Sequence, residues 1–114
     1  MAVIKKYEEQ VNPDGQAIQY YQTVSVTGSS VSDEILLPPV LESGFTFSTD
    51  GAGTIQVSMS SRKDIDEGNG VWVDNDLVNG PVFSTSFPGT FRGISGIRIN
   101  NASGTSTLNI ISKA

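Results

Sequence analysis

The sequence predicts an all-β protein, an antiparallel β-sandwich or jelly roll with an N-terminal arm or extra strands. Three observations predict it. Short apolar runs alternate with polar residues at a period of two. Clusters of Gly, Pro, Asn, Asp and Ser separate these runs at short spacing. Outside residues 2–11, no stretch of ordinary length carries the period of an amphipathic helix.

The clearest alternation runs from Thr54 to Ser60, where Ile55, Val57 and Met59 face one side and Gln56 and Ser58 the other. Phe45 and Phe47 alternate in the same way just upstream, and Thr49-Asp50-Gly51-Ala52-Gly53 lies between. Residues 44–60 therefore read as a hairpin with an aromatic and aliphatic inner face. Before it, Ala2–Val11 fits either a helix or an extended arm, and Asn12-Pro13-Asp14-Gly15 is a turn. Gln16–Thr27 is a long strand and Val31–Leu37 a second, stopped by Pro38-Pro39. The double proline divides an N-terminal arm and strands (1–39) from a sandwich core (40–114) within one compact domain. After the hairpin, Ser61–Gly70 reads as a charged loop and Val71-Trp72-Val73 as a short strand. Val82–Phe87 ends at Pro88-Gly89, and Phe91–Asn100 and Thr105–Ser112 are the last strands.

At 114 residues the chain can bury a core without covalent staples. It has no cysteine, which removes disulfides and thiolate metal sites, and no histidine, which removes Ser-His-Asp and Cys-His chemistry. Net charge is −5 and falls wholly in residues 1–60, with residues 61–114 balanced. No basic stripe is present for phosphate contact, so nucleic acid is not an expected partner. No apolar run approaches the roughly 20 residues of a membrane helix, and the start lacks the order of a signal peptide, so the mature chain is expected to begin near Met1.

Four groups of residues are candidates for chemistry or contact. Asp64 and Asp66, with Asp74 and Asp76 beyond them, offer oxygen ligands for Ca2+. Gly68 is displaced from the calcium-loop position and no glutamate follows at the right distance, so a solvated loop screened by Arg62 and Lys63 is the competing reading. No other metal and no cofactor is expected. Trp72 is either core filler or a platform for a sugar or partner. Arg92 and Arg98 are either surface cations paired across a sheet or interface anchors. Tyr20-Tyr21, Ile35-Leu36-Leu37 and Ile110-Ile111 put apolar groups on both faces of their strands, which calls for a covering layer or a subunit interface.

From about Gly44 onward the chain resembles small structural proteins of tailed bacteriophages. The residues that carry the resemblance are Thr54–Ser60, Asp64-Ile65-Asp66-Glu67-Gly68 and Val71-Trp72, then Pro88-Gly89, Ile97-Arg98-Ile99 and Ser103-Gly104-Thr105 leading to Leu108-Asn109-Ile110. The resemblance implies a virion component made in the host cytoplasm, first of all a capsid decoration (cement) protein. Such a protein would act without catalysis, as a homo-oligomer (a trimer among the options) on a major capsid protein. Its contacts would be Val3, Ile4 and Tyr7 in the arm and Tyr21, Leu36 and Arg98 on outer strand faces. The alternative it implies is a carbohydrate- or receptor-binding or structural module of a tail or tail fibre, using Trp72 and the acidic loops.

Overall fold

A computed structural model describes residues 3–4, 8–11, 13, 17–38, 42–74 and 82–113. The strands are β1 (Val3–Ile4), β2 (Glu8–Val11), β3 (Ala17–Thr27), β4 (Ser30–Val31), β5 (Glu34–Leu36), β6 (Glu42–Ser58), β7 (Val73–Asp74), β8 (Val82–Arg92), β9 (Gly96–Ser103) and β10 (Thr105–Lys113). Among the described residues a single short helix, α1 (Arg62–Asp66), interrupts them. The fold is the all-β, jelly-roll-like architecture that the alternation and turn chemistry predict, and among the described residues its pairings are antiparallel except β1 on β5.

The sheet is built from long strands that bend together. β9 and β10 run antiparallel to the whole of β6, from Ser58 opposite Gly96 to Ser43 opposite Ser112, with one register slip between Ala52 and Gly53. On their other side they run antiparallel to β3, β4 and β5 in succession. The bend makes two leaves from the same strands. The first leaf holds β2, β3, β10, the first half of β6 and most of β8. The second holds β1, β4 and β5, β9, the second half of β6 and β7.

The core lies between the leaves. The first leaf contributes Val24, Leu108, Phe45, Phe47, Ile110 and Phe91, and the second Ile35, Leu37, Ile55, Ile97 and Ile99. Phe45 stacks on Phe91 at 4.3 Å between centroids and meets Phe87 edge-on at 6.0 Å. The Gln22 side chain spans the gap, donating through Nε2 to the Leu36 carbonyl at 3.0 Å.

A polar knot holds the bend. Thr49, Asn101 and Ser106 are 5 %, 2 % and 0 % exposed. Ser106 Oγ lies 2.6 Å from Asn101 Oδ1 and 2.8 Å from Thr49 Oγ1. Asn101 Nδ2 donates to the carbonyls of Gly28 and Gly104, each at 2.9 Å. Gly28 N–H donates to Gly104 O at 2.9 Å, and Thr105 N–H to Asp50 Oδ1 at 2.7 Å. Buried polar groups of three bent strands thus satisfy one another at one line across the sheet.

Several sequence expectations change. Residues 44–60 are not a hairpin: β6 continues through Asp50–Gly53 and bends rather than reverses. Gly51 is there for close approach, since a Cβ would run into the Ser103 and Gly104 backbone. Met59, expected inside, is 74 % exposed because β6 ends at Ser58, before it. Within Ala2–Val11, Glu8–Val11 is a strand on β3, not part of a helix. Strands from both sides of the double proline share the sheet, with β3 beside β10 and β5 beside β9. β8 also runs through Pro88, which sits on an outer strand of its leaf where a missing N–H is tolerated.

Gly28 and Gly104 both have left-handed backbones, with φ of 81° and 70°, but only Gly104 is crowded. A Cβ at Gly28 meets nothing within 4 Å, whereas one at Gly104 lies 2.7 Å from Gly51 N. Gly28→Ala is expected to cost about 1–2 kcal/mol of stability. Gly104→Ala is expected to cost about 1–3 kcal/mol more through overpacking. Urea unfolding of the two variants measures the difference, and equal losses would mean that the bend tolerates an extra methyl.

Candidate functional site

The outer face of the second leaf carries a charged row. Ile97 and Ile99 are fully buried, so Arg98 between them points away from the core. Its Nε donates to Gln56 Oε1 at 2.8 Å and its Nη1 to Glu34 Oε2 at 3.0 Å. Gln56 Nε2 in turn donates to Asp74 Oδ1 at 3.1 Å. Glu34, Arg98, Gln56 and Asp74 therefore form a continuous line across β5, β9, β6 and β7. The Arg98 and Glu34 side chains are only 20 % and 10 % exposed, and the guanidinium lies 4.6 Å from the centre of the Trp72 ring.

The segment between β6 and β7 straps this face. Ser61 caps α1 by accepting from Asp64 N–H at 3.1 Å, and the helix directs Ile65 inward to complete burial. Beneath the strap run Leu36, Gly96 and Ser58, the next row along the leaf. A Cβ on Gly96 would come within 3.0 Å of both Ile65 Cδ1 and Trp72 Cη2, so this glycine makes room for the strap. The Arg62 guanidinium donates to the Leu37 carbonyl, and Val71 N–H to Ser60 Oγ at 2.9 Å.

The outer face of the first leaf is different in kind. Register aligns Ser25, Thr107, Ser48 and Ser86 in one row. The next rows are Thr23, Asn109, Thr46 and Pro88, then Tyr21, Ile111, Gly44 and Thr90. None of these residues is charged. Hydroxyls pair across β3 and β10, with Ser25 to Thr107 and Thr27 to Thr105 each at 2.9 Å, and Thr23 donating to Asn109 Oδ1 at 2.9 Å. Charge borders these residues: Glu8 on β2 pairs with Tyr21 in the third row, Lys113 with Gln19 and Glu42 with Arg92 in the row beyond it, and Asp50 lies on the other side.

A third feature is an apolar margin. Val73 ends the inward row Ile35, Ile97, Val57, Val73 at the second leaf's edge and is 52 % exposed. Met59 and Val71, flanking the same β6–β7 ribbon, are 74 % and 70 % exposed.

The residues singled out by sequence do not converge on one place. Val3 and Ile4 pair in parallel with Glu34 and Ile35 of the same chain. Tyr7 and Asp76 lie outside the described residues. Tyr21 is 39 % exposed, paired with Glu8 of β2 on one side and Ile111 of β10 on the other. Leu36 is corrected: it is 5 % exposed, covered within the chain by the strap rather than open to a partner. Arg98 faces outward as expected, but its guanidinium is engaged by Glu34, Gln56 and Trp72, which corrects its role as an anchor. Trp72 is neither core nor open platform but half-buried in the strap. Asp64 and Asp66 are exposed on α1, Asp74 accepts from Gln56, and among the described residues no three metal-ligating side chains gather. The Glu34–Arg98–Gln56 linkage was missed because alternation marks these positions as outward without saying which strands are neighbours.

No protein-family model matches the sequence, and no curated protein matches it. Solved structures similar to it include an oxalate oxidase, at 12 % identity and TM-score 0.48, over 84 % of this chain and 42 % of that one. A cupin domain from Bordetella pertussis is similar at 8 % identity and TM-score 0.45, over 100 % of this chain and 97 % of that one. A de novo designed double-stranded β-helix is similar at 14 % identity and TM-score 0.37, over 82 % and 97 %. The chain spans less than half the length of the oxalate oxidase, 42 %. The expectation that the chain is not an enzyme is corrected by this comparison: an enzyme stands among the structures similar to it.

Arg98→Met leaves the Glu34 carboxylate, 10 % exposed in its side chain, without its cation. The expected loss is about 3–5 kcal/mol, and adding Glu34→Met is expected to recover most of it. Trp72 is the single tryptophan, so its emission reports strap seating during the same urea titrations. An Arg98→Met loss below about 1 kcal/mol, the range of exposed pairs, would show that the row contributes little.

Proposed function

We propose that the chain is a structural subunit of a virion, a capsid decoration protein of the type its sequence resembles, acting as a homo-oligomer on a larger shell. The observation that carries this reading is the apolar margin of Met59, Val71 and Val73, which are 74 %, 70 % and 52 % exposed. Three large apolar side chains together at a sheet edge favour association, because burying each is worth about 1.5–3 kcal/mol. β7 is also an edge strand among the described residues, with β6 its one pairing partner. Its free side can accept a strand from a neighbour. A subunit that binds only the assembled shell stabilises it by mass action. The Trp72 ring, on which a carbohydrate-binding module would depend, is engaged by Arg98 and packed beside Ile65 and Gly96, so the tail-module reading has less support.

The test is particle composition. Virions purified from the source and dissociated are expected to contain the chain in fixed stoichiometry to the shell protein. A Met59→Ser, Val71→Ser, Val73→Ser variant with unchanged circular dichroism is expected to be at least tenfold depleted from them. Absence of the wild-type chain from particles, or full incorporation of the variant, would overturn the proposal.

A further inference from the structure

We propose that Asn69 is a self-modification site: its side chain deamidates by ring closure with the Gly70 nitrogen, and the isoaspartyl product unseats the strap. It holds whether or not the chain is a virion subunit.

The fold singles out this asparagine. Asn69, Asn100, Asn101 and Asn109 are the asparagines among the described residues. Asn100 and Asn101 lie in β9 and Asn109 in β10, each paired on both sides. Asn101 Nδ2 is also held by the Gly28 and Gly104 carbonyls. Ring closure at these positions would pull a main-chain nitrogen out of a ladder. Asn69 is exposed on the strap, and its successor is a glycine, which puts no Cβ in the path of the attacking nitrogen. The peptides on either side are anchored. Asn69 N–H donates to the Asp64 carbonyl at 2.7 Å, and Val71 N–H to Ser60 Oγ at 2.9 Å. The Gly70 N–H between them has no acceptor among the described residues. The link that must swing is the one left free.

The chemistry needs only water and hydroxide. Hydroxide takes the Gly70 N–H proton, and the nitrogen attacks Asn69 Cγ. The new N–Cγ bond replaces the Cγ–Nδ2 bond, and the amide nitrogen leaves as ammonia after taking a proton from water. Water then opens the five-membered imide. Addition at Cγ gives aspartate. Addition at the Asn69 main-chain carbonyl carbon gives isoaspartate, in which the chain runs through Cβ and Cγ and the former carbonyl carbon becomes the carboxylate. One water enters, one ammonia leaves, and nothing is oxidised or reduced.

Isoaspartate lengthens the main chain by one carbon, about 1.5 Å, between the two anchors. Gly70 has no slack to absorb it: even a Cβ there would lie 3.1 Å from Ile65 Cγ1 and 3.2 Å from Trp72 Nε1. Moving Gly70 therefore moves Trp72 away from Gly96 and from the Arg98 guanidinium, now 4.6 Å from its ring. Aspartate at the same place adds the same charge but no length.

The full chain, incubated at 37 °C and mapped by mass spectrometry after cleavage at Asp residues, is expected to gain about one dalton at Asn69. The rate is expected to be at least tenfold that at Asn100, Asn101 or Asn109, and several-fold higher at pH 8.5 than at pH 7. Cleavage at Asp74 separates Asn69 from Asn79-Gly80, which lies outside the described residues. Asn69→Gln is expected to abolish the change with urea stability unaltered. In chains carrying Asn79→Gln, the isoaspartyl form separated by chromatography is expected to show red-shifted Trp72 emission, and Asn69→Asp the emission of the unmodified chain. Asn69 reacting no faster than the three strand asparagines would overturn the proposal. So would an isoaspartyl form that emits as Asn69→Asp does.

Discussion

The bend shared by the long strands is the constraint on which the rest depends. Thr49 on β6, Asn101 on β9 and Ser106 on β10 meet there with almost no exposure, and Asn101 also binds carbonyls of Gly28 and Gly104. Each of these groups would cost about 1–3 kcal/mol if buried alone. Only one relative placement of three chain segments satisfies them all, so the knot specifies where every strand turns. An apolar bend would hold the leaves together with equal strength and less definition, because apolar contacts are non-directional.

Because both leaves are halves of the same strands, each strand serves two environments. β6 presents Phe45 and Phe47 inward before the bend and Ile55 and Val57 inward after it. Its outward residues are Thr46 and Ser48 on the first leaf and Gln56 on the second. β9 and β10 behave differently: Ile97 and Ile99 point inward at odd positions, Leu108 and Ile110 at even ones. The one-residue register slip beside Ala52 makes these two patterns compatible. Without it, a period of two would place Leu108 on the outer face of its leaf.

That same parity explains what could be read from the residues and what could not. Alternation located the strands and most inward side chains, since local chemistry sets period and burial. Phe45, Phe47, Ile55 and Val57 keep one parity, and both a hairpin with a five-residue turn and an unbroken bent strand preserve it. Asp50-Gly51-Ala52-Gly53 carries turn chemistry, so the hairpin was the natural inference. The deciding fact is non-local: Gly51 lies against the Ser103 and Gly104 backbone, from the far end of the sequence. Leu36 follows the same logic. Its neighbours showed that both faces of its strand needed cover, but the cover comes from Ile65 in a run that reads as a charged loop. One buried isoleucine among exposed Arg62, Lys63, Asp64 and Asp66 is too sparse a signal to mark a packed element.

The two outer faces differ because they meet different neighbours. On the second leaf, Leu36 and Gly96 form an apolar strip that the chain covers itself, and the charged row beside it is neutralised internally by Glu34 against Arg98. Charge is tolerable there because its partners are intramolecular and permanent. On the first leaf the sequence places Thr, Ser and Asn at the outward positions, where Lys or Glu would also satisfy a wet strand. A face that met only water would gain from charge, since charged outward residues discourage sheet stacking. Along the central rows that protection is absent, and charge returns only in the flanking pairs, Glu8 with Tyr21, Lys113 with Gln19 and Glu42 with Arg92.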